Sequence, residues 1–293
     1  MPSPVPVLPD AGPQADRAPE ARPVPPRGMR LALDALGPLA LGNANVIMQL
    51  ARLPVGRGVA ESTVDSGRVD KHPVKRLRTT MQFLVIATHG TEAERRGLRH
   101  EINKQHRQVR SGPDSEVAYN AFDADLQLWV AACLWRGSED TLGWLYPDLS
   151  EAELDACYRW AERFGTTLQV REGMWPADRE AFEEYWQAGL AQVRMDDVTR
   201  RYLQRLTVLA GYPKPLQATV GRFFTIMTLG FLPASFREEL GLPWTAADQR
   251  RFVRITRLLA TVNRYTPAPL RQLPMNAYLW DVRRRLRDGR PVV

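Results

Sequence analysis

The chain has four histidines, and one of them occupies a place that usually goes to an aliphatic residue. If residues 95–110 form a helix, Leu98, Ile102, His106 and Val109 fall on one stripe, at spacings of four, four and three. Arg95, Arg96, Arg99, Asn103, Lys104 and Arg107 lie on the opposite face, and His100 points nearer that polar side. His106 is therefore aimed at the core. A buried neutral imidazole needs a partner for at least one nitrogen, which can be a carbonyl, a carboxylate or a metal. A satisfied core histidine is the commoner use of such a position. Zinc needs three or four N, S or O ligands at short spacing, and neither HExxH nor a Cys/His cluster occurs. Haem iron already holds four porphyrin nitrogens, so one axial histidine suffices for it.

Two further segments carry polar or aromatic groups on apolar faces. In a helix over 73–88, Arg76, Thr80, Phe83, Leu84 and Ala87 share a face. The plain reading is that Arg76 snorkels and Thr80 bonds the preceding turn. The functional reading sets a fixed cation and a hydroxyl over a cavity, where they could act on dioxygen or a propionate. In "YNAFDADLQLWV", Asp123 is a plausible N-cap, and Leu126, Trp129, Val130, Cys133 and Leu134 form a strong helical stripe. Alone, that stripe is core, and Tyr119 before it reads as a loop anchor with its hydroxyl paired.

The elements that must position these groups read as helix after helix, with almost no period-two alternation. The expected fold class is all-α. Helices are predicted near 30–36, 43–52 (ended by Pro54), 73–88, 91–110, 123–136, 150–164, 177–192, 195–210, 215–229, 245–263 and 275–288. Ser150 and Glu153 make a capping box for the 150–164 helix, and Gly165 is placed to terminate it. Prolines 213, 215, 233, 243, 267 and 274 punctuate the second half. Residues 1–28, rich in proline, read as a disordered tail. Residues 29–293 read as a single domain, without internal repeats.

Composition sets the outer bounds. The 293 residues are 44% hydrophobic and 25% charged, with a net charge of +7 carried mostly by arginine. That suits anionic partners without choosing among them. Cys133 and Cys157 fall on apolar helix faces, with no CxxC or CxxCH, which argues against a zinc ribbon and covalent haem. No secretory signal is visible, so a reducing, cytoplasmic setting is expected. The most apolar stretch, "LQATVGRFFTIMTLGFLPAS", is interrupted by Gly221, Arg222, Gly230 and Pro233; it reads as a buried helix, leaving peripheral membrane contact as the only membrane option. Without a GxSxG elbow, a serine hydrolase has no support. Nucleic-acid binding rests on pI about 9.7 and on "RRGLRHEINKQHRQVR" and "DVRRRLRDGR"; it lacks a recognisable motif, and acidic residues are interleaved, so no nucleic-acid partner is expected.

In order along the chain, "RLRTTMQFL" (76–84), "HRQVRSG" (106–112) and "YNAFDADLQLWVAACL" (119–134) together resemble one family, the MpaB-type oxygenases and the catalytic domain of rubber oxygenases (latex clearing proteins). "GVAES" (58–62) and the tail "LPMNAYLWDVRRRLRDGRP" (273–291) resemble its bacterial branch. The likeness covers roughly 40 to 290. It implies a globin-like, multi-helix core around one non-covalent haem b, with His106 as the proximal iron ligand. A haem face would then stand where core would otherwise be. It matches Arg76 and Thr80 to distal-side groups with a catalytic part and carries Tyr119 and Trp129 into the cofactor's surroundings. Thr79 stands where rubber oxygenases have a lysine able to close the sixth coordination site; a threonine is a poor iron ligand, so an open or water-filled site is expected. Glu61 lies near the family's catalytic carboxylate.

The function so implied is a haem-dependent oxidoreductase, an oxygenase acting with dioxygen on a small apolar, isoprenoid-like or polyketide-like substrate. Phe83, Trp129, Phe223 and Phe224 are available to line such a pocket. The alternatives are a non-catalytic haem- or lipid-binding helical protein and a basic helical nucleic-acid-binding protein.

Overall fold

A computed structural model describes residues 21–61, 73–210 and 213–292. Most of the expected tail, residues 1–20, lies outside them. All regular structure among the described residues is helical, apart from one isolated antiparallel bridge between Arg110 and Asn120. The all-α expectation holds.

The helices are α1 (Arg27–Ala32), α2 (Leu36–Leu50), α3 (Leu53–Ala60), α4 (Pro73–His89), α5 (Glu92–His106), α6 (Ala124–Leu145) and α7 (Glu151–Thr166). They continue with α8 (Arg179–Leu190), α9 (Asp197–Thr207), α10 (Lys214–Leu216), α11 (Arg222–Phe231), α12 (Ala234–Leu240), α13 (Ala246–Tyr265) and α14 (Ala268–Arg287). A π-helical turn, Gln217–Gly221, joins α10 to α11. Local chemistry explains the starts. Thr91 with Glu94, Ser150 with Glu153 and Thr245 with Asp248 form capping boxes, and Asp123, Asp178 and Asp196 cap α6, α8 and α9.

Several boundaries differ from expectation. Pro54 lies in the first turn of α3, where its missing N–H costs nothing, instead of leading into a loop. Gly165 does not end α7; it is buried inside the last turn, and an added Cβ there would come within 3.0 Å of Val170. Helix α5 stops at His106 and does not run to 110. Arg95, expected in solvent, is buried, because its guanidinium donates to Thr167 Oγ1 at 2.8 Å and Thr166 Oγ1 at 2.6 Å and pairs with Glu92.

Helix α6 lies against α1, α2, α7 and α13; α14 covers α4; α11 packs on α2. The core is aromatic at its centre. Trp129 and Trp135 are fully buried, Trp129 stacks on Trp186 at 5.1 Å, and Tyr158, Trp175 and Phe182 continue the cluster. Burial of this kind supplies the main driving force for folding, at about 1.5–3 kcal/mol per large side chain.

The C-terminal end of α4 is fixed unusually well. Its last carbonyls lie inside the fold, where each needs a donor. Arg163 Nε donates to Ala87 O at 2.8 Å and Nη2 to Gly90 O at 2.5 Å, Trp160 Nε1 to Thr88 O at 3.1 Å, and Arg283 Nη2 to His89 O at 3.1 Å. Gln82 donates to Asp281 of α14 at 2.7 Å. The first half of α4 is different: Val74, Arg76 and Leu77 are exposed, and Thr79 and Thr80 half-buried.

Candidate functional site

His106 ends α5, and the chain then turns back on itself. Val109 N donates to His106 O at 2.9 Å, Ser111 N to Tyr119 O at 2.9 Å, and Ala121 N to Val109 O at 2.9 Å. This closed loop returns Phe122 to the histidine, edge to face, with ring centres 6.2 Å apart. The imidazole is half-buried, and its Nδ1 is sealed from water without a hydrogen-bond partner. Its pKa is pushed down to about 4, first by desolvation and second by the charge of Arg76. The ring is therefore neutral at neutral pH, with a nitrogen lone pair to offer.

Arg76 lies on the exposed first half of α4, where desolvation by its neighbours lowers its pKa against a counter-effect from Tyr202. No carboxylate of the described residues forms a salt bridge with it. Thr79 Oγ1 and Thr80 Oγ1 both donate to Arg76 O, at 3.0 and 2.9 Å. Their protons are thus engaged with the backbone, which leaves each hydroxyl only lone pairs to offer. The guanidinium is the donor on this face.

Glu61 and Tyr119 meet at a second place. Tyr119 Oη and Ser115 Oγ each donate to Glu61 Oε2 at 3.1 Å, and Arg57 Nη1 holds Oε1 at 2.5 Å. Arg57 also pairs with Glu116 at 2.7 Å and with Asp196, the N-cap of α9. Desolvation works to raise the Glu61 pKa, but Arg57, Tyr119 and Ser115 outweigh it and hold the carboxylate below its usual range. A cleft of about 330 Å³ opens beside them, lined by Gly58, Glu61, Val109, Ser115 and Tyr119 among others. With both oxygens occupied, Glu61 here joins α3 to the α5–α6 loop. Among the described residues, no hydrogen bond or ion pair links it to His106 or Arg76.

The other expected lining residues serve packing. Trp129 is wholly inside the core, its Nε1 donating to Met48 O at 3.2 Å and Arg52 lying over its ring at 4.8 Å. Phe83 packs at the core's edge, and Phe223 and Phe224 form a T-shaped pair at 5.4 Å just after the π-turn. Sequence reasoning missed Phe122, Tyr202 and Arg57. Only Arg57 left a local signal, its four-residue spacing from Glu61.

Comparison with known proteins agrees with this picture at the level of the family. Two mycobacterial proteins described as uncharacterized, one from Mycobacterium tuberculosis and one from Mycobacterium bovis, are each 49% identical over 255 residues, covering 87% of this chain and the whole of theirs. No solved structure matches. Residues 29–261, which include α4, His106 and the Glu61–Tyr119 pair, match the family model described as "ER-bound oxygenase mpaB/B'/Rubber oxygenase, catalytic domain", and the chain belongs to that family of oxygenase catalytic domains.

Proposed function

We propose that the protein is a haem b-dependent oxygenase with a globin-like haem-binding core, acting with dioxygen on an apolar substrate, and that His106 is the residue that would ligate the iron. The observation that carries this reading is the imidazole itself: neutral, half-enclosed, with an orphan buried nitrogen, and under the charge of Arg76. A group that accepts a nitrogen lone pair and carries anionic carboxylates matches that donor set.

Haem, when bound, would supply the redox chemistry of oxygen activation. The remaining work falls to this chain. His106 would hold the cofactor by one nitrogen, with Phe122 packed edge to face against the imidazole. Arg76 would donate charge-assisted hydrogen bonds to an anionic or polarised oxygen beside it. Thr79 and Thr80 accept. Glu61 positions the loop through Tyr119 and keeps its own proton affinity low.

The test is the visible spectrum of protein purified from haem-supplied cells. The expected result is a Soret band that His106→Ala removes while circular dichroism stays helical. A colourless wild-type protein, or full haem in His106→Ala, overturns the reading.

A further inference from the structure

Helices α13 and α14 meet at an elbow, α13 packing on α11 and α6 and α14 on α4 and α5, and their outward sides beside that elbow are apolar and, on α13, cationic. From Gln249 to Trp280 the sequence holds six arginines and not one acidic residue. On α13, Leu258, Val262 and Tyr265 recur at helical spacing and are 64%, 53% and 78% exposed. On α14, Leu270 and Leu273 begin a stripe that continues to Trp280, and they are each 61% exposed. Arg254, Arg257 and Arg264 flank the first stripe, and no ion pair among the described residues takes them up. The inner sides are fully used: Ile255 and Leu259 pack toward Met227, and Met275 and Val282 are buried.

The elbow between the two helices is also locked. Arg271 Nη1 donates to Asn263 O at 3.1 Å and pairs with the buried Asp34 at 3.1 Å; Asn263 Nδ2 donates to Tyr146 Oη at 3.0 Å, and that hydroxyl donates to Asp34. The exposed stripes are therefore presented on a stiff mount, which removes an ordering cost from any docking.

We infer that this elbow is a docking surface for a bilayer that carries anionic lipid. Charge chooses the partner. In a two-fold contact between copies, the same unpaired arginines would be brought to both sides of the interface with no acid to answer them. Duplex nucleic acid satisfies the cations but leaves Leu258, Val262, Leu270 and Leu273 without a partner. A lipid interface satisfies both, with Tyr265 and Trp280 suited to the headgroup level. The contact is peripheral, since no helix among the described residues is long and apolar enough to cross a membrane. It is independent of the cofactor.

The experiment is vesicle flotation of the full-length protein, with phosphatidylcholine vesicles and with mixed phosphatidylcholine–phosphatidylglycerol vesicles. Binding is expected to the mixed vesicles only, and to fall with added salt. The pair Val262→Asp and Leu270→Asp is expected to weaken it by about tenfold or more, as loss of buried aliphatic area requires. The triple change Arg254→Gln, Arg257→Gln and Arg264→Gln is expected to do the same by about tenfold or more. Both variants should keep the wild-type melting curve, because every altered side chain is outside the core. Failure to bind mixed vesicles, equal binding to phosphatidylcholine alone, or binding that survives both variants overturns the inference. So does a dimer that the aspartates dissociate, or tighter binding to duplex DNA that they leave intact.

Discussion

Arg76 lies close enough to His106 for its charge to depress the proton affinity of the imidazole, although the two belong to different helices. Desolvation is the larger cause and the arginine the smaller. Arg76→Gln in the haem-free protein should therefore raise the His106 pKa above about 4 without restoring the ordinary 6.5. A histidine titration by NMR checks this; an unmoved pKa means that the charge of Arg76 does not reach the imidazole.

The same substitution separates binding from chemistry. Removing a charged donor that acts on the reacting oxygen typically costs about 10²–10³ in turnover. Arg76→Gln is expected to keep most of its Soret absorbance and lose oxygen consumption on that scale. Parallel loss of both signals would give Arg76 a cofactor-holding role only.

Arg57 gathers three carboxylates from three segments, and its side chain is nearly enclosed. Arg57→Ala leaves Glu61 and Asp196 facing each other's charge in partly buried surroundings, and should destabilise the fold by about 2–4 kcal/mol in urea titrations. Glu116 is mostly in water, so Glu116→Gln should cost less than about 1 kcal/mol. Equal losses in the two variants contradict a central role for the arginine.

Trp129 lies in the core, where Gly189 lets its ring approach. A Cβ at 189 would stand 2.4 Å from the indole. Gly189→Ala should cost about 1–3 kcal/mol through overpacking. Trp129→Phe should lower the melting temperature and leave the position of the Soret maximum unchanged; a shifted maximum would return Trp129 to the haem's edge.

His89 and Asp140 predict opposite pH slopes. Burial pushes His89 down to about 4, below its unfolded value of 6.5, so the folded state binds fewer protons and stability is lost as pH falls between them. Burial raises Asp140 to about 7, above its unfolded 3.8, so the folded state binds more protons and stability is lost as pH rises between them. His89→Gln should flatten the acid limb of a stability–pH curve, and Asp140→Asn the limb approaching neutrality. Unchanged slopes refute the assignments.

What was legible in the sequence was local. A cap and the turn it closes are neighbours in the chain, so Asp123 and the Ser150–Glu153 box could be read directly. The stripe containing His106 was equally visible, because helical period needs only one element. The Arg57 cluster, the two threonines that bury Arg95, and Phe122 folding back on His106 all depend on pairings between elements, and no spacing along one helix encodes them. Pro54 and Pro274 show a further limit: a proline reads as a break, yet one opens α3 and the other sits inside α14.

The family match stops at residue 261, but α14 lies beyond that point and rests along α4, with Asp281 gripping Gln82 and Arg283 holding both Glu94 and the carbonyl of His89. A protein trimmed at the edge of the recognisable domain would uncover the back of the very helix that carries Arg76. The span that the family model matches is thus shorter than the folding unit, and expression fragments should be cut after α14.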